Sequence, residues 1–197
     1  MRAALWMGMM AVAVPLLAGQ RMNVSVCVQG HRSQKAVTKA EIQVARLFRS
    51  MDIEIVWSGC DAGPIGEEAA RSHWYTIRLR DGLPVGTPDS ASLDTLGQAF
   101  FTDNGTSYLA EIYYEASDAL ALRKQIEPEA LLGCVMAHEL GHLLLGPGHA
   151  PSGIMRSGWS SHDLDSIRAG WLKFSPDESV RIRQRLQDSD SPDPAAS

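Results

Sequence analysis

Apolar residues along the chain follow two different periods, and the switches between them mark out its elements. "NVSVCV" sets Val24, Val26 and Val28 on one face at period two, as in a half-buried strand. In "TKAEIQVARLFRSM" the period lengthens: Val44, Leu47, Phe48 and Met51 stand at i, i+3, i+4 and i+7. That is the stripe of a helix packed on a sheet. Thr38 and Glu41 have the spacing of a capping box at its start. "IEIVW" reads as a second strand, so the three segments form a β-α-β unit with a parallel pair expected. "YTIRLR" alternates strictly, with Tyr75, Ile77 and Leu79 inward and Arg78 and Arg80 toward water.

Two further strands, "GQAFFT" and "TSYLAEIYY", flank "DNG", and Asn-Gly between apolar runs predicts a hairpin. A long helix follows from about Pro128 to Leu145, closed by Gly146 and Pro147. After "PSGIM" the chain is polar until "SPDESVRIRQRL". There Ser175 and Glu178 form a second capping box, and Pro176 takes the first helical position. "DSDSPDPAAS" has no apolar period and reads as a solvated tail. The expected architecture is α+β: a small mixed twisted sheet with a packing helix, an active-site helix and a C-terminal helix. One domain is expected over residues 21–188, with a disordered tail over 189–197.

Composition narrows this picture without changing it. A length of 197 residues, 45% hydrophobic and 21% charged, suits one ordinary globular domain. The net charge of -5 gives no reason to expect nucleic acid or a stable membrane partner. The opening "MRAALWMGMMAVAVPLLAGQ" has Arg2, an apolar run and the small residues Ala18 and Gly19, the form of a signal peptide over residues 1–20. Pro15 and the short span weigh against an uncleaved anchor. Gln20 stands where a lipoprotein box needs cysteine. Export is therefore predicted, to the outside or to a periplasm, where disulfides form. A Cys27–Cys60 bridge is one arrangement, which spacing alone leaves open, and Cys134 on the long helix reads as a small buried hydrophobe.

The candidate chemistry lies in "HELGHLLLGPGH", residues 138–149. On a helix, His138 and His142 share one face a turn apart and can aim two imidazoles at one ion. Glu139 falls beside that ion, placed to act as general base on a zinc-bound water. An apolar helix makes an unpaired glutamate and two histidines costly unless a metal compensates them. His149 is the choice for third ligand, because Gly146, Pro147 and Gly148 let the chain turn back. A left-handed residue at Gly146 is expected there. Asp163, Asp165 and Glu178 are carboxylate competitors, while His31, His73 and His162 have no patterned partner. The expected cofactor is one catalytic Zn2+, and the expected activity is zinc-dependent endopeptidase, with Glu139 catalytic.

"HELGHLLLGPGH" followed by "GIM", Gly153 to Met155, resembles the metzincin metalloproteases, with a matrixin-like form. In the commonest long motif five residues separate the second and third histidines. Here six do. The resemblance implies that Met155 forms the floor of the site beneath the metal. It also implies an edge strand that binds peptide as an added strand, a place that "TSYLAEIYY" is expected to fill. Arg156, Ser157, Gly158 and Trp159 follow Met155, so a fifth tyrosine ligand is not expected. No inhibitory pro-segment is expected between the cleavage point and Val24. The alternative reading is a secreted zincin-fold binding protein without turnover; intact Glu139 argues against it.

Overall fold

The computed structural model describes residues 19–189 apart from 61, 67, 70, 71 and 83–94. The expected leader and tail thus lie outside the described residues, save Gly19, Gln20 and Ser189. In chain order the elements are β1 (Gln20–Val28), α1 (Gln34–Arg49), β2 (Ile53–Ser58), β3 (Trp74–Arg80), β4 (Gly97–Phe101) and β5 (Ser107–Tyr113), followed by α2 (Tyr114–Lys124), α3 (Pro128–Leu145), α4 (Ser161–Arg168) and α5 (Pro176–Ser189). Among the described residues no helix is long and apolar enough to cross a membrane.

The strands form one sheet in the order β2-β1-β3-β5-β4. β1 pairs parallel with β2 and β3, and β3 parallel with β5. β4 runs antiparallel to β5 at one edge. β3 alternates strictly at period two, and its inward residues meet buried partners on the neighbouring strands. Val24 stands opposite Tyr75, Ile77 opposite Ala110, and Leu79 opposite Ile112, all buried. α1 and α3 pack against each other and against the sheet. Their backbones come close at Gly133, where a Cβ would stand 2.8 Å from the Gln43 side chain.

Four expectations need correcting. α1 begins at Gln34, a turn before Thr38, with Ser33 as an N-cap that makes no side-chain bond. Val37 and Ala40 are buried, so packing extends the apolar stripe past the proposed capping box. β5 stops at Tyr113, and α2 follows at once where an extended chain was read through Tyr114. α2 escapes notice because its apolar period is weak: Leu122 is exposed while Ser117 is buried. α4 occupies part of the polar segment after "PSGIM", where no element is expected, and Ser160 and Asp163 give it a full capping box. Finally, β5 lies inside the sheet between β3 and β4, so β4 is the edge strand. Parallel pairing of β3 with β5 is a non-local choice that the hairpin alone does not reveal.

Cys27, in β1, is bonded to Cys60, just past β2, closing a span of 33 residues. By loop entropy such a link stabilises the fold by about 3–4 kcal/mol. The double variant Cys27→Ser/Cys60→Ser is expected to lose that much in denaturant unfolding, and reductant should then have no further effect on it. Cys134 is free and fully buried, and burial pushes its thiol up to about 12.

Candidate metal centre

α3 is built as the sequence suggests. Pro128 opens it, thirteen of its residues are buried, and its last turn ends at Gly146. Gly146 has φ 95° and ψ -174°, so φ is positive as expected. The extended ψ takes it outside the left-handed helical region, into a conformation that only glycine adopts at little cost. The chain then turns back, and an Ala150 N–H bond to the Met155 carbonyl at 2.8 Å holds the return.

This return brings His149 to His138 and His142. The ring centroids lie 4.6 Å apart for His138 and His142, 5.4 Å for His138 and His149, and 4.8 Å for His142 and His149. One nitrogen from each falls within 4.8 Å of the others. Among the described residues these three form the one group of this kind. Asp163, Asp165 and Glu178 are used elsewhere. Asp163 caps α4 and meets Arg156 at 3.4 Å, Asp165 pairs with Arg168, and Glu178 accepts the Ser175 N–H at 2.7 Å. His162 is exposed in the first turn of α4.

The hydrogen bonds of the pair on α3 define its chemistry. His138 Nδ1 bonds the Ile154 carbonyl at 2.7 Å, and His142 Nδ1 bonds the Gly146 carbonyl at 3.0 Å. Carbonyls only accept, so both Nδ1 atoms carry the proton and both Nε2 atoms present lone pairs. Those two Nε2 atoms face each other at 3.0 Å. Two lone pairs so placed repel unless a cation lies against them, and a backbone carbonyl behind each ring is the usual support of a metal-bound histidine. The residues fit a zinc ion. Burial first, then the neighbouring His142 and His149, draw His138 down to about 4, which keeps its ring neutral and ready to donate electrons.

Ile154 belongs to the turn after His149. Gly153 has φ 79°, and a Cβ on it would stand 2.7 Å from the Lys173 carbonyl, which accepts the Ile154 N–H at 3.0 Å. Met155 is buried beneath α3, its sulfur 2.2 Å from where a Cβ on Gly141 would sit. Gly141 lies between the two histidines in sequence, so Met155 packs against the turn of α3 that carries them. Gly141→Ala is expected to push Met155 away and destabilise the fold by about 1–3 kcal/mol, as overpacking does. Thermal unfolding of the metal-free variant measures it.

Glu139 is 4% exposed, with its Oε2 unpartnered, and burial pushes its carboxyl up to about 8. Its side chain lies against Gly97, the first residue of β4: a Cβ there would come within 2.6 Å of Oε1. A cleft of about 920 Å³ runs past Glu139 and the histidines, with Gly97, Gln98, Ala99 and Phe101 of the edge strand along it. Trp159 also lines this cleft and stands edge-on to His138, its ring centroid 6.1 Å away. Ile154, Gly97 and Trp159 were not among the expected site residues. Two of them act through backbone or an absent side chain, which leaves no residue-type signal.

An antiparallel edge strand beside a histidine-bearing helix, on a mixed five-stranded sheet, defines a zincin/metzincin-like fold. Solved structures match this chain, two metalloproteinase-like ones among them. Metalloproteinase-II from Bacteroides fragilis aligns with a TM-score of 0.50 at 17% identity, over 85% of this chain and 53% of that one. Archaemetzincin from Methanopyrus kandleri aligns with a TM-score of 0.51 at 15% identity, over 87% of this chain and 99% of that one. This chain thus spans about half the length of the Bacteroides protein. Likeness at these identities establishes the fold and nothing finer. No family model matches the sequence, and no curated protein matches it.

Proposed function

We propose that this chain is an exported zinc-dependent metalloendopeptidase, matrixin-like in its Met-turn, with one ion held by His138, His142 and His149. The observation that carries the reading is the facing pair of Nε2 lone pairs, with His149 closing the third side. When bound, zinc supplies a Lewis acid that polarises the scissile carbonyl and makes water nucleophilic at neutral pH. The chain's own residues do the rest. Glu139 takes a proton on a carboxylate oxygen and returns it to the leaving amine. A cation at the histidines favours its charged form, against the burial that raises it. Gly97 leaves room for that carboxyl beside the edge strand. β4 offers an extended peptide an edge that no other described strand pairs, so substrate adds as a further strand on the sheet. Export is supported by the leader-like start and by the disulfide, which suits an oxidising compartment.

Zinc-loaded protein incubated with a peptide library tests this reading. Internal peptide bonds are expected to be cut, and cutting should stop on chelation and return with zinc. A zinc-loaded protein that cuts no peptide is instead the binding protein without turnover.

A further inference from the structure

The protein carries a net charge of -5, yet apart from Glu139 and the histidines the ionisable side chains along its cleft are cationic. Arg123 and Lys124, in the last turn of α2, line it, as does Arg156 just after Met155. Among the described residues Glu139 is the one carboxylate in that lining, and it is buried at the histidines. Arg123 and Lys124 have no ionic partner among the described residues, and both are exposed. α4 holds both cationic segments in place. Its Asp163 meets Arg156 at 3.4 Å, and its Arg168 donates to the carbonyls of Lys124 and Gln125 at the end of α2. Leu120, Val135 and Leu164 give the same cleft an apolar surface that suits an aliphatic stem.

We propose that this cleft selects peptides by a carboxylate, bound by Arg123, Lys124 and Arg156 beside the histidine site. The proposal rests on the cleft being a peptide-binding site, whether or not bonds are cut there. The carboxylate comes either from an acidic side chain or from a free C-terminus. A cleft lined with one sign of charge raises the local concentration of opposite charge, and a planar guanidinium forks onto a carboxylate.

Binding, read apart from cleavage, tests it. Fluorescein-labelled peptides are titrated into zinc-loaded Glu139→Gln protein at low salt, with anisotropy as the readout. One arm compares Glu with Gln at each position, and a second compares a free C-terminus with its amide. At least one arm is expected to favour the acid by about tenfold. That preference should fall to near one in Arg123→Ser/Lys124→Ser and persist in the control Lys35→Ser/Arg49→Ser. The favoured arm identifies the source of the carboxylate. Equal binding of acid and amide in both arms overturns the proposal, as does a preference that survives the Arg123/Lys124 changes. Absence of cleavage by the zinc-loaded parent protein, with the acid preference intact, overturns the peptidase reading and leaves this one standing.

Discussion

Glu139→Gln is expected to lower kcat for peptide cleavage by about 10²–10⁴, the range that a lost general base accounts for. Zinc content should stay at the parent level, because the metal-facing nitrogens belong to His138, His142 and His149. The substitution keeps shape, so Gly97 still accommodates the side chain, and it removes a carboxyl whose charged form burial disfavours. A fold failure is therefore not the expected outcome. Kinetics with a quenched peptide, alongside metal analysis of the same sample, separate the two effects. A variant that cuts at the parent rate contradicts the assigned role.

His149→Ala is the second large effect. It should weaken zinc binding by about a hundredfold or more, since even supporting partners of metal ligands are worth 10–100-fold. Asp163→Ala and Asp165→Ala should leave zinc affinity at the parent value. Asp163→Ala has a different cost. Its carboxyl accepts from Ser160 and pairs with Arg156, so removing it should cost about 1 kcal/mol of stability at neutral pH. Burial alone would raise that carboxyl, but Ser160 and Arg156 hold it below its ordinary 3.8. A lowered carboxylate stabilises the fold above its unfolded value and stops doing so in acid. The gap between parent and variant should thus be full near neutrality and narrow below pH 3.8. Chelator competition reads the first comparison, and denaturant unfolding across pH reads the second.

The sequence was most legible where one element answers to its own residues. Pro128, Gly146 and a mainly apolar run between them bound α3, and the alternation in "YTIRLR" matched the burial of Tyr75, Ile77 and Leu79. The lengthened "GPGH" connection also read through. The extra residue is absorbed at Gly146, by a backbone conformation that a side chain would resist. What did not read through depends on partners far along the chain. β5 pairs with β3 as well as with its hairpin mate, which left the edge to β4. Ile154 serves His138 by its carbonyl, a group that every residue has. Gly97 matters because it lacks a side chain beside a glutamate 42 positions away, and a sequence does not show what an empty place adjoins. Arg123 and Lys124 sit on α2, a helix whose buried Ser117 and exposed Leu122 blur its period.

If the proposed function holds, three imidazoles bind the zinc. Zinc-edge X-ray absorption on protein loaded with one equivalent of metal tests it most directly. Three imidazole nitrogens and one oxygen from water are expected at about 2.0–2.1 Å, with one imidazole lost in His149→Ala. A spectrum with two imidazoles and a carboxylate, unchanged in His149→Ala, would contradict it.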